Sequence, residues 1–511
     1  MKVPLTINDF LTRGVNVFPD RVAIVDEPDQ PAPSLGDITF RELGDIQRQI
    51  GVAMDEMGLE MGDRVAMVSH NAARLLTMFY GVSGNGRVFV PINFRLSRDE
   101  VAYIVEHCGA RALLVDPEIA DVMADIPCEH KWVIGEESDA AWYGRDGEPA
   151  AWTPDEDATA SINYTSGTTA RPKGVEQTHR ARWTNAVTFG WHVGVNDRDV
   201  YLHTLPMFHC DGWGMLYTVM AMGVKNIVLR KVDGAEILRR IDEHGVTLMC
   251  GAPAVCAAVL DAAADWEGEI PGKGRVRMVV AGAPPPTKTI ERMETELGWE
   301  FIQIYGLTET APLLTINRSP QEWDDLDPAD RAARLGRAGV PAVGIDMKIS
   351  ASGELLARGN HILKSYWEQP DASAQALEGG WFHTGDGGVI GDDAFITITD
   401  RKKDVIISGG ENVSSIEVED ALFSHPDVNE VAVIGVPSEK WGETVKALVV
   451  VEAGSDLTEQ GLIDYCRDKL AHYKCPTSVE FRDELARTAT GKLQKYKLRA
   501  PYWEGMEKAV N

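Results

Sequence analysis

The chain has 511 residues, 44% hydrophobic and 25% charged, more than one compact core accommodates, so at least two domains are expected. Its 50 Lys and Arg against 78 Asp and Glu leave a net charge of −28. A surface of that sign excludes a nucleic-acid binder, and any nucleotide site must gather cationic side chains and N–H donors locally.

In chain order the pattern is strand, helix, strand. Residues 64–69 read as a strand, and Leu75, Met78, Phe79 and Val82 then recur at helical spacing. Residues 88–92 form the next strand. Ser97 reads as an N-cap, followed by Asp99 and Glu100 in the first turn and Val101, Ile104 and Val105 on one face. Residues 111–116 return as a strand. Further apolar strands are expected at 226–230, 247–251, 276–281 and 300–305. Such alternation predicts an α/β fold: a large N-terminal domain of mostly parallel sheets flanked by helices, with ligands on the loops beyond the strands' C-terminal ends. After residue 400 the texture changes. A helix at 415–424, strands at 430–436 and 445–451, a helix at 459–470 and a strand at 478–482 predict a small α+β C-terminal domain, dividing the chain into 1–399 and 400–511.

The loops carry the chemistry. Between Tyr164 and Val175 stand Thr165, Ser166, Gly167, Thr168, Thr169 and Lys173. Hydroxyl donors, a glycine that lets backbone approach a ligand, and a point charge suit a phosphate-wrapping turn, though the spacing is not that of a Walker loop. Alone, the tract reads more readily as a polar surface loop. Further on come Leu205 to Gly214 (Leu-Pro-Met-Phe-His-Cys-Asp-Gly-Trp-Gly), Ala281-Gly-Ala-Pro284, Gln303-Ile-Tyr-Gly-Leu-Thr-Glu-Thr310, Trp381-Phe-His-Thr-Gly-Asp386, Ser408-Gly-Gly-Glu-Asn412 and Arg487-Thr-Ala-Thr-Gly-Lys492. His203, His209 and Cys210 have no standard metal-site spacing.

In this order, along nearly the whole chain, these segments resemble the adenylate-forming superfamily of acyl-CoA synthetases, firefly luciferase and peptide-synthetase adenylation domains, and most of all the fatty-, medium-chain or aryl-acid CoA ligases. The resemblance implies ATP, Mg2+ and coenzyme A, a carboxylic acid substrate, and the small domain on a hinge. By it, Thr165, Ser166, Gly167, Thr168, Thr169 and Lys173 hold the ATP phosphates. Tyr305 stacks on adenine beside Ala283, Thr308 contacts the α-phosphate and Glu309 holds Mg2+. Asp386 and Arg401 take the ribose, and Asp400 is the hinge. Gly409 and Gly410 line the pantetheine tunnel, and Lys492 is catalytic. The acyl pocket falls to Trp183, His209 as gate, Trp213, Gly282, Leu307 and Pro312. Two departures stand out: Ala170 where the family usually has Gly, and Ala486 where it often has Pro.

Seven cysteines without a C-x-x-C pair argue against a disulfide framework or zinc site and for a reducing compartment, the cytoplasm. No transmembrane segment is expected: the most apolar stretch, 249–260, is broken by Gly251 and Pro253 and is shorter than the ~20 residues a span needs. A homodimer is compatible with the sequence. Three alternatives stay open: transfer to a carrier protein, with Asp211 as a pairing partner for an amino-acid ammonium; a luciferase-like oxygenase; and a non-catalytic nucleotide sensor, which has no use for Lys492.

Overall fold

The computed structural model describes residues 1–165, 171–401, 404–408, 411–438, 441–452, 454–487 and 493–504. Among them the chain forms sheets of nine, seven, four and five strands. The nine-stranded sheet is built around parallel strands Lys225–Val228, Val200–His203, Leu248–Gly251, Arg277–Val280 and Glu300–Gly306, with antiparallel strands closing both edges. The seven-stranded sheet places Val88–Ile92, Arg64–Val68, Ala110–Val115 and His130–Val133 in parallel. Val88–Ile92 is buried at every position, as a strand covered on both faces must be. Ser97 caps the helix Arg98–Cys108 in a reciprocal capping box with Glu100, and left-handed Gly109 (φ 61°) ends it.

The two large sheets are sewn together at the C-terminal ends of their strands. Asn71, beyond Arg64–Val68, donates Nδ2 to the carbonyls of His203 and Leu205 (both 3.0 Å) and accepts the Met207 amide at 2.8 Å. Asp116, beyond Ala110–Val115, meets Arg230, beyond Lys225–Val228, at 2.7 Å with both side chains buried. The loops predicted to carry chemistry thus share one edge.

The third sheet, Ile345–Ile349, Glu354–Gly359, Phe382–Ile390 and Ile396–Arg401, is antiparallel throughout. Sequence patterning did not show it, because its glycines, bulges and exposed positions break the alternation. It pairs Asp386 with Arg401 and Gly387 with Asp400, so strand structure runs through the expected 399/400 boundary.

The C-terminal sheet carries the strands Val428–Ser438 and Gly442–Val451, with Ser478–Phe481 parallel to the latter. Helices Ser415–Phe423 and Glu459–Arg467 cover it, and Val418, Leu422, Val433, Val449, Leu462 and Ile463 form its own apolar core. At the junction the buried Asp400 carboxylate accepts the Ser415 amide (2.9 Å) and hydroxyl (2.5 Å). Thr287 donates its amide to Asp420 at 3.0 Å.

Candidate active site

Tyr305 ends the strand Glu300–Gly306, and its hydroxyl donates to Asp386 Oδ2 at 2.8 Å. Arg401 Nε lies 3.4 Å from Asp386 Oδ1. The residues expected to hold adenine and ribose therefore meet, although 81 residues separate Tyr305 from Asp386 in sequence. Burial, reinforced by the Asp386 charge, pushes the Tyr305 phenol well above its ordinary value, so it donates at any physiological pH. Gly306 is required by packing. A Cβ there would stand 1.5 Å from the Pro312 carbonyl oxygen, which explains the Tyr-Gly pair without appeal to backbone freedom.

A second group surrounds Tyr366. Its hydroxyl donates to Glu309 Oε1 at 2.9 Å, and the Lys173 ammonium lies over its ring at 4.7 Å. Burial first, then the Glu309 charge, raises the Tyr366 phenol. Lys173 itself pairs with Thr165 across the hairpin of Thr159–Thr165 and Lys173–Thr178. Thr308 is held from two sides: Gln177 donates to its carbonyl at 2.8 Å and Cys210 donates its thiol to its hydroxyl at 3.1 Å. Sequence reading did not find Tyr366 or Gln177. Neither lies in a motif, and only the pairing of Ser365–Tyr366 with Lys173–Thr178 brings Tyr366 here.

The segment after His209 has an unusual backbone. Cys210, Asp211, Gly212, Trp213 and Gly214 all have positive φ, from 52° to 77°, making a left-handed helical turn. For the residues with side chains this costs roughly 1–2 kcal/mol each, so the surroundings must impose it. They do so through Asp211. Its carboxylate accepts Ser161 Oγ (2.8 Å), Asn163 Nδ2 (2.9 Å) and the Tyr217 hydroxyl (3.2 Å), and pairs with Arg182 Nε at 2.9 Å, both charged side chains having 0% exposure. A carboxylate so committed has no valence left for a substrate ammonium. Asp211 is thus not the amino-acid partner allowed for in the sequence.

Trp213 is 3% exposed and shares an apolar cluster with Cys210 and Ala281, against which Tyr305 and Leu307 pack. Gly282 (φ 99°) and exposed Ala283 follow the strand Arg277–Val280. Buried Pro312 follows Ala311 through a cis peptide bond. His209 sits half-buried at the start of the left-handed turn. Trp183 is not part of this cluster. Its Nε1 donates to Asp9 at 2.9 Å and its ring stacks on Phe10, in the cluster of the N-terminal helix. His203 is a structural histidine: it is bonded to Asn226 at 2.9 Å, and burial pushes its pKa down to about 4.

Ser166, Gly167, Thr168, Thr169, Gly409, Gly410 and Lys492 lie outside the described residues. Among the described residues no group of His, Cys, Asp and Glu has the makings of an all-protein metal site, and no helix is long and apolar enough to cross a membrane.

Residues 11–367 match the AMP-binding enzyme family and residues 417–492 match the AMP-binding enzyme C-terminal domain. Among curated proteins, a 4-hydroxybutyrate–CoA ligase of Metallosphaera sedula is 35% identical, over 96% of this chain and 93% of the relative. A 2-methylpropanoate–CoA ligase of Humulus lupulus is 34% identical, over 97% and 95%. The o-succinylbenzoate CoA synthetase of Bacillus subtilis, solved with its acyl-adenylate intermediate, superposes with a TM-score of 0.83 at 28% identity, over 96% and 97%. The same synthetase solved with ATP and a magnesium ion gives 0.81 at 27% identity, over 96% and 99%.

Proposed function

The chain belongs to the AMP-binding enzyme family and is an ATP-dependent acyl-CoA synthetase, an acid–thiol ligase; we propose that its acid is a short-chain aliphatic one and that the residues gathered around Tyr305, Thr308 and Trp213 activate it. The observation that carries this reading is the meeting of two groups at one edge of the N-terminal domain. Tyr305, Asp386 and Arg401 make a nucleotide grip, and Cys210 joins the Trp213 turn to Thr308. Both curated relatives are named for four-carbon acids. Trp213 is buried, and an indole assigned to the acyl pocket supports a pocket with a bulky wall. This is narrower than the fatty, medium-chain or aryl expectation of the sequence.

In the first half-reaction a carboxylate oxygen of the acid attacks the α-phosphorus of ATP. The bond to the bridging oxygen breaks and pyrophosphate leaves with that electron pair. Charge gathers on oxygens around one phosphorus, so the protein acts by positioning and electrostatics. Thr308 offers its hydroxyl toward the α-phosphate, Lys173 stands by the departing pyrophosphate, and Lys492 bridges the acid and the α-phosphate. Glu309 is the residue to hold Mg2+. Its carboxylate is a hard oxygen donor, and the Tyr366 hydroxyl fixes its Oε1. When bound, Mg2+ supplies charge neutralisation between phosphates. In the second half-reaction the CoA sulfur attacks the acyl carbonyl carbon, the bond to the AMP oxygen breaks, and the thiol proton is released. Asp400 is the hinge about which the 400–511 domain exchanges the Lys492 segment for Gly409 and Gly410 between steps. The cysteine usage supports a cytoplasmic setting.

The saturated Asp211 favours a plain acid over an amino acid, and with it coenzyme A over a carrier protein as acceptor. The test is thioester formation with free CoA over acids of increasing chain length, with holo carrier protein as the competing acceptor. Four-carbon acids are expected to give the highest kcat/KM. A preference for acids of eight or more carbons, about tenfold or greater, contradicts the substrate assignment.

A further inference from the structure

Arg182 lies in the helix His179–Val193, outside the short motifs singled out in the sequence, and is fully buried. Its guanidinium pairs with Asp211 through Nε at 2.9 Å. It donates to Ser161 Oγ at 3.1 and 3.2 Å and to Asn163 Oδ1. Through Nη1 it also reaches two carbonyls, Cys210 at 3.3 Å and Ala311 at 3.5 Å. Those carbonyls belong to different loops, 206–214 and 307–312, which carry Trp213 on one side and Thr308 and Pro312 on the other. The Cys210 thiol closes the triangle onto Thr308.

A buried ion pair is weak support for stability alone, because well-packed apolar residues in its place are often as stable or more so. A left-handed turn with side chains at Cys210, Asp211 and Trp213 is disfavoured as well. Both unfavourable features fall in one place, between the two loops that flank the acid and the α-phosphate. Functional sites concentrate such constrained backbone when it fixes a geometry that relaxed backbone does not reach.

We propose that the Arg182–Asp211 pair is a positioning element that decides which acids the enzyme accepts: it holds Cys210–Gly214 in the left-handed turn, and the turn sets the depth of the acyl pocket through Trp213. This rests on the assignment of the acyl pocket to Trp213, Leu307 and Pro312. Neither Arg182 nor Asp211 touches substrate. Their effect is to fix the spacing of the two loops, so releasing the pair lets the turn relax, withdraws the indole and admits longer chains.

The experiment is acid-dependent exchange of pyrophosphate into ATP, with straight-chain acids from acetate to octanoate, for wild type, Asp211→Asn and Ser161→Ala, each normalised to the amount of acyl-adenylate formed in a single turnover. Asp211→Asn is expected to raise the KM for the four-carbon acid about tenfold and to flatten the chain-length preference by a similar factor, while the KM for ATP moves by less than about twofold. Ser161→Ala removes a hydroxyl that bonds both members of the pair but leaves both charges, so a smaller shift of the same sign is expected; it decides the matter should Asp211→Asn fail to fold. A chain-length profile unchanged in the folded variants, or parallel losses for ATP and acid, overturns the role of the pair. Absence of acid-dependent exchange in the wild type overturns the pocket assignment as well, whereas wild-type exchange with unchanged variants overturns the pair alone.

Discussion

Tyr305 and Asp386 form the contact assigned to the nucleotide in the proposed function. The phenol is buried and spends its hydrogen on a carboxylate, a bond to a charged group whose removal costs roughly 1.5–3 kcal/mol. Tyr305→Phe is therefore expected to raise the KM for ATP about tenfold or more while leaving the KM for the acid near the wild-type value. Pyrophosphate exchange at varied ATP and acid measures both, and equal changes in the two contradict the placing of Tyr305 against the nucleotide. The segment that carries Tyr305 stood out in the sequence, because Gln303 to Thr310 is distinctive. Tyr366, the partner of Glu309, did not, since a lone tyrosine next to a tryptophan carries no local signal. The neighbours of Trp183 were not legible either: an indole one turn into a helix after the threonine-rich loop faces Phe10 and Asp9, and nothing in its local sequence announces them.

Elements, rather than single contacts, explain the glycine of the Tyr-Gly pair. Gly306 lies against the Pro312 carbonyl with no room for a methyl group. Gly306→Ala must push apart the strand end and the cis-proline loop, at a cost of about 1–3 kcal/mol or more. A fall in the urea midpoint of the N-terminal domain is expected, with loss of adenylation in the remaining folded protein; an unchanged midpoint contradicts the packing. Parallel strands and capped helices were legible because each declares itself locally: Val88–Ile92 is an unbroken apolar run, and Ser97 is followed by Glu100 at capping-box distance. The left-handed turn at Cys210–Gly214 was not. Gly212 and Gly214 permit it, but Arg182, 29 positions before Asp211, joins in imposing it, and a pairing at that separation has no periodic trace. The antiparallel sheet that presents Asp386 and Arg401 escaped for a related reason, its register being set by bulges at Glu354/Leu356 and Gly387/Gly388.

Over the whole molecule, the proposed reaction requires the two large sheets to hold one edge together while the small domain moves. Asp116 and Arg230 tie the sheets at that edge. Burial alone would raise the Asp116 carboxyl, but hydrogen bonds from His70 and Arg230 and the Arg230 charge outweigh it and hold it well below the ordinary 3.8. A depressed carboxyl stabilises the fold above its unfolded pKa and loses that contribution as pH falls toward its folded one. Asp116→Asn should accordingly lower the Tm most near neutral pH, with the gap to wild type closing below about pH 4; a gap independent of pH contradicts the ion pair's part. The proposed hinge is Asp400, whose carboxylate is bound by Ser415 while its backbone pairs with Gly387. The most direct test of the two-step account separates the half-reactions in Lys492→Ala. Pyrophosphate exchange is predicted to fall by at least about a hundredfold, while thioester formation from supplied acyl-adenylate and CoA stays within about twofold of wild type. Equal loss of both half-reactions contradicts it.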